Sequence, residues 1–215
     1  MIYEQVGNRT QVFTVSTDVS KMDQVDRALA QISTEVGMPL EILILNAGSY
    51  NGIRPLAFIA KTAPESTIVN ISSGIAHLDP FLGFSSYAAT KLAGSKVMQY
   101  AQGEIPGIHV VDVHPGQVRE TDMAAKATGG PYESVSHVDD GTFKHPYTTR
   151  EEADLMIADL AGDFIVWAAS KEARFLKGKL VWVNWDVEEL KAGAKETAST
   201  RALTLGLDGF YPGKY

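Results

Sequence analysis

Thr67-Ile-Val-Asn-Ile-Ser-Ser-Gly74, followed by a loop and then Ser85-Ser-Tyr-Ala-Ala-Thr-Lys91, is the stretch on which the fold of this chain turns. Ile68, Val69 and Ile71 form an apolar run of strand length that ends in the hydroxyls of Ser72 and Ser73. The segment after the loop is compatible with a helix, so Ser73 is expected at a strand's C-terminal end, near the start of the next helix. Tyr87 and Lys91 are four apart and share one face of that helix. A phenol ordinarily titrates near ~10, but an ammonium within a few ångströms favours the phenolate. The pattern therefore points to Tyr87 as a general acid/base, Lys91 as its tuning charge and Ser73 as a hydrogen-bond partner for a substrate oxygen. Taken alone, Tyr-x-x-x-Lys is a solvated surface pair in most chains. What gives it chemical meaning here is a serine fourteen residues earlier at a strand end, inside an alternation of strands and helices.

Outward from this stretch the alternation continues in both directions. Gln11 to Thr17 alternates and is rich in β-branched residues, which reads as a strand ending at Asp18. Ser20 is expected to cap a helix with Asp23 at its third position, an apolar stripe of Met22, Val25, Leu29, Ile32 and Val36, and Gly37 as its stop. Glu41 to Leu45 is a continuous apolar run, as in a parallel strand covered on both faces, and it ends at Asn46-Ala47-Gly48. Pro55 suits the first turn of a short helix through Leu56, Ile59 and Ala60. A helix is expected from about Ser86 to Gln102, with Gly94 and Ser95 keeping one face slim enough for a ligand or a second helix. Ile108 to Val113 reads as a strand ending at His114-Pro115-Gly116. Thr149 to Glu152 is a capping box for a helix whose stripe runs through Leu155, Leu160, Phe164, Ile165 and Ala168. Lys179 to Trp185 reads as the last strand, and Glu188 to Tyr215 as a helix and tail. Residues Asp122 to Tyr147 are polar and irregular, and read either as a lid over the site or as a plain disordered insertion.

At 215 residues and 45% apolar composition, the chain has room for the core of one globular domain. Its net charge of -7, with both signs interspersed, argues against a nucleic-acid or anionic-membrane partner. The absence of cysteine excludes disulfides, a thiolate nucleophile and a thiolate-ligated metal. The N-terminus does not read as a secretory leader, and no window approaches the ~20 apolar residues that span a bilayer, so a cytoplasmic protein is expected. None of the five histidines has metal-ligand spacing or pairs with a nucleophile in sequence, and all five read as structural or solvent-facing.

The triplet of Ser73, Tyr87 and Lys91, with Asp18-Val19, Asn46-Ala47-Gly48 and Pro115-Gly116 each closing a strand in this order, resembles the short-chain dehydrogenase/reductase family. The resemblance implies an α/β, Rossmann-like three-layer fold in which residues 1–215 form one partial nucleotide-binding domain with a parallel sheet of about five strands. It implies NADP or NAD as cofactor, with NADP preferred, and a small-molecule substrate interconverted between carbonyl and secondary alcohol. Within it, Ser73, Tyr87 and Lys91 are catalytic, and Tyr87 and Lys91 also meet the cofactor. Asp18 and Val19 lie beside the adenine, Asn46, Ala47 and Gly48 line the adenosine side, and Pro115, Gly116, Val118 and Thr121 serve the nicotinamide side.

Two departures from the family pattern stand out. No Gly-x-x-x-Gly-x-Gly turn precedes Gln11, so the loop that seats a pyrophosphate and the residue that selects NAD or NADP are both missing, and cofactor affinity is expected to be poor. The helix after Gly48 is short, offers no match for the family's relay asparagine, and lacks most of the usual dimer face, which leaves a homo-oligomer open. The chain thus reads as truncated, with the Gln11 strand pairing directly with the Glu41 strand. The reading from another functional class is a catalytically silent remnant, or a binding or interaction protein that keeps the second half of the fold. A hydrolase built on Ser73 lacks the Gly-x-Ser-x-Gly elbow.

Overall fold

The computed structural model describes residues 10–46, 63–80, 82–116 and 158–206, together with Ile59 and Lys61. In chain order the elements are α1 (Met22–Val36), β1 (Ile42–Leu45), β2 (Thr67–Ile71), a 3-10 turn (Gly74–Ala76), α2 (Ser85–Glu104) and β3 (His109–His114). After these come α3 (Ala158–Ala168), a second 3-10 turn (Glu172–Leu176), β4 (Lys179–Trp182), α4 (Val187–Ala192) and α5 (Ala194–Ser199). The four strands form one sheet in the order β1-β2-β3-β4, every pair parallel.

Successive side chains of a strand point to opposite faces, and the central strands are covered on both, which is why they read as continuous apolar runs. On one face Ile68 of β2 and Val110 of β3 meet Met98 and Ala101 of α2. On the other, Val69, Ile71, Val111, Val113 and Val181 meet Phe164 and Ala168 of α3. Ile68, Met98 and Val111 are fully buried, and each such side chain stabilises the fold by roughly 1.5–3 kcal/mol. The result is the Rossmann-like three-layer α/β arrangement expected from the alternation.

Two expectations are corrected at the N-terminal side. Gln11 to Thr17 does not form a strand, so the sheet has four strands among the described residues rather than five, and the Gln11 segment does not pair with β1. Alternation of side chains prepares a strand, but only a partner backbone makes one. This segment instead bonds locally: Thr17 Oγ1 donates to the Val15 carbonyl and the Asp18 amide donates to Gln24 Oε1 in the first turn of α1. β1 consequently stands at the end of the sheet among the described residues, with Ile42 and Ile44 each nearly half exposed rather than covered on both faces. The helix cap is also displaced, since α1 begins at Met22 with Lys21 in the cap position and no side-chain cap. The expected stop holds: Gly37 takes a left-handed φ of 65° and its amide closes on the Ser33 carbonyl.

Candidate active site

At the C-terminal end of β2 the chain leaves the sheet through Ser72 and Ser73. Ser73 is extended and caps the 3-10 turn, its Oγ accepting from the Ile75 amide at 3.4 Å. Helix α2 then carries Tyr87 in its first turn and Lys91 one turn further on. Lys91 does not extend into solvent. Its Nζ donates to the Ile71 carbonyl at 2.7 Å and lies 5.7 Å from the centre of the Tyr87 ring. Phe84 meets the same ring edge-on at 6.4 Å. Tyr87 and Lys91 are thus brought together, and Lys91 is tied to the strand end that carries Ser73, with all three side chains half-buried. Burial holds the Lys91 ammonium below the ordinary lysine range, while the charge of Asp112 pulls in the opposite direction.

Beneath α2 lies a polar cluster that sequence reading missed. Asn70 and Asp112 face each other in the β2–β3 register, and Asn70 Nδ2 donates to Asp112 Oδ1 at 2.5 Å. Ser95 also favours the charged form of the Asp112 carboxyl, and its Oγ is 2.8 Å from Ser72 Oγ. Gly94 and Ser95 are both buried, so the small residues of α2 serve its close approach to the sheet. Burial pushes the Asp112 carboxyl up to about 7 against the lowering effect of Asn70, Ser95 and Lys91. The signal was available in the sequence: an Asn within Ile-Val-Asn-Ile and an Asp within Val-Val-Asp-Val are polar residues in strands otherwise buried on both faces.

A second cluster closes the ends of β3 and β4. His77 Nδ1 donates to the Gly74 carbonyl at 2.8 Å, which leaves Nε2 to accept from Trp182 Nε1 at 3.2 Å. His114 packs edge-on against Trp182 at 4.6 Å. These contacts pin the turn after Ser73 to the end of β4.

The residues expected to hold a cofactor are placed unevenly. Asp18 is fully exposed and turned back on its own loop, its Oδ1 accepting from the Ser20 amide and hydroxyl. The Ser20 hydroxyl is the main cause that lowers its pKa. It performs the ordinary turn chemistry of an Asp that follows an extended segment. Val19 beside it is partly exposed, and Asn46 is exposed just beyond β1. Pro115 and Gly116 follow β3 directly, with Gly116 at a φ of 76°, the left-handed region open to glycine. Ala47, Gly48, Val118 and Thr121, the segment of residues 122–147 and the Pro55 turn lie outside the described residues. No helix among the described residues is long and apolar enough to cross a membrane.

A parallel sheet covered on both faces, with a Tyr–Lys pair on the helix that follows its second strand, defines a Rossmann-like α/β protein. The short chain dehydrogenase family model matches residues 56–130, a span that includes Ser73, Tyr87 and Lys91. The chain is 32% identical over 155 residues to a short chain dehydrogenase/reductase of Claviceps purpurea, an alignment covering 70% of this chain and 46% of the relative. A second relative, short chain dehydrogenase/reductase nsrO of Aspergillus novofumigatus, is 34% identical over 164 residues, covering 70% and 48%. The chain thus spans about half the length of these curated relatives. Among solved structures, a short-chain dehydrogenase/reductase from Serratia marcescens superposes with a TM-score of 0.59 at 17% identity, covering 84% of this chain and 79% of that one. A 7 alpha-hydroxysteroid dehydrogenase, complexed with NADH and 7-oxo glycochenodeoxycholic acid, gives 0.61 at 15% identity, covering 80% and 72%. The chain belongs to the short-chain dehydrogenase/reductase family.

Proposed function

We propose that the chain is an NAD(P)(H)-dependent oxidoreductase that interconverts a carbonyl and a secondary alcohol on a small molecule. The observation that carries this reading is the seating of Lys91, whose Nζ is held by the Ile71 carbonyl at 2.7 Å and lies 5.7 Å from the Tyr87 ring. An ordinary surface pair would be solvated, whereas this ammonium is drawn down to the strand end that bears Ser73. Tyr87 exchanges the proton of the substrate oxygen, Ser73 orients that oxygen, and Lys91 sets a positive charge beside the Tyr87 ring.

Residues present suit the nicotinamide half of a cofactor. An ammonium has three N–H donors, and the Ile71 carbonyl takes one, which leaves two for a ribose hydroxyl. When bound, the nicotinamide supplies or accepts the hydride. For the adenosine half the described residues offer less, because Asp18 is engaged by Ser20. NADP and NAD are both compatible with this donor set.

Titration of the purified protein with NADPH and with NADH, followed by cofactor fluorescence, tests the reading. Saturable binding below the millimolar range is expected, together with turnover of carbonyl substrates that falls ~10²–10⁴-fold in Tyr87→Phe. No binding of either cofactor, or a Tyr87→Phe variant as active as the parent, overturns it and leaves a binding or interaction protein with the family fold.

A further inference from the structure

We propose that Asp112, held by Asn70 beneath helix α2, is a positioning residue that serves as the counter-charge to Lys91. Its catalytic meaning rests on the function proposed above, but its physical basis is independent of turnover.

The geometry sets the carboxyl under the turn of α2 that carries Lys91. Asp112 is 5% exposed on β3, pairs in register with Asn70 on β2, and points to the face covered by α2. Asn70 Nδ2 donates to one of its oxygens at 2.5 Å, and Ser95 of the overlying helix favours its charged form. Ser95 is in turn 2.8 Å from Ser72 Oγ, next to Ser73. Lys91 stands one helical turn before Ser95 on α2, and its Nζ is held at the Ile71 carbonyl, 5.7 Å from the centre of the Tyr87 ring.

A carboxyl with this degree of burial is costly unless it is paired and hydrogen-bonded, and a neutral residue could fill the same space at less expense. The described polar and titratable groups on the adjoining stretches include Lys91 and Tyr87 on α2, Asn70 and Ser72 on β2, His114 two residues along β3 on the same face and His77 on the turn beyond. Of these, Lys91 is the cation whose charge acts on Asp112, and Asp112 is the group whose charge opposes the desolvation of Lys91. The coupling is therefore reciprocal: each group favours the charged form of the other. The neutral donor Asn70 fixes where the negative charge sits, so that the ammonium stays beside Tyr87.

The test is an NMR titration of the full chain with ¹³C-labelled lysine, following the Lys91 Cε signal assigned by Lys91→Met. In the unsubstituted protein this signal is expected to show a second inflection near neutral pH, reporting ionisation of Asp112, besides its own titration at higher pH. In Asp112→Asn the neutral inflection disappears and the Lys91 midpoint falls by on the order of one pH unit, the scale of a nearby opposite charge. Conversely, Lys91→Met raises the Asp112 midpoint, read from the ¹³C-carboxyl signal, and this arm needs no change at Asp112. An unchanged Lys91 midpoint in folded Asp112→Asn, or a Lys91 signal with no neutral inflection in the parent, overturns the proposal even if the protein turns over a carbonyl substrate. Coupling observed in a chain that binds neither NADPH nor NADH sustains the proposal while the redox reading fails.

Discussion

Replacing His109 by leucine should make the protein markedly more resistant to acid, and the size of the effect follows from where the ring sits. His109 is fully buried on β3, with Nε2 3.4 Å from the Ala168 carbonyl and Nδ1 without a hydrogen-bond partner among the described residues. Protonation would place a charge in the core near Arg174 and Lys177. Burial first, then the charge of Arg174 and, less, that of Lys177 push the imidazole down from 6.5 to about 4, against the raising effect of the Ala168 carbonyl. The folded value is thus depressed below the unfolded one. The stability contribution is complete above pH 6.5 and is lost as pH falls through about 4. At ~1.4 kcal/mol for each pH unit between those two values, the loss approaches ~3 kcal/mol. Asp112 runs the other way, because its folded value of about 7 lies above the ordinary 3.8. Its contribution is present below 3.8 and is lost as pH rises through about 7, so the two groups partly cancel in the intact protein. Subtraction removes this masking, since both proteins retain Asp112. Urea unfolding of the parent and of His109→Leu at pH 7.5, 5.5 and 4 should give a stability difference that shifts in favour of the variant by most of ~3 kcal/mol on acidification. Two curves that stay parallel across that range would refute the argument, whatever their offset at pH 7.5.

Two further perturbations probe the frame around the site. A methyl group on Gly74 would sit 2.8 Å from Trp182 Cζ2 and 3.3 Å from His114 Cδ2, and Trp182 is already held by His77. Gly74→Ala should therefore cost ~1–3 kcal/mol in denaturant unfolding and change the tryptophan emission, and a loss below ~0.5 kcal/mol would show that the rings yield freely. Lys179, buried at the start of β4, donates to the carbonyls of Thr200 and Ala202 at 2.7 and 2.9 Å and so holds the segment whose Leu203 carbonyl accepts from the Leu180 amide. Lys179→Met should cost ~1–3 kcal/mol and speed hydrogen exchange at the Leu180 amide, whereas unaltered protection there would mean that this tether is dispensable.

Local pattern was enough to locate the four strands of the described residues, the stop at Gly37, the span of α2 within two residues, and the meeting of Tyr87 with Lys91. Each of these depends on spacing along the chain: an apolar run of strand length, a glycine free to turn left-handed, or two side chains one helical turn apart. Tertiary structure decided the rest. Gln11 to Thr17 has the alternation of a strand but is not part of the sheet, and Asp18 has the character of a ligand group but gives its oxygen to Ser20. Asn70 and Asp112 are 42 residues apart and meet only because β2 and β3 pair in one particular register, and Lys91 reaches the Ile71 carbonyl only because Gly94 and Ser95 let α2 lie close to the sheet. Periodicity is a property of a segment, whereas register and the burial of a charge belong to two segments at once, and the latter determine what surrounds Lys91.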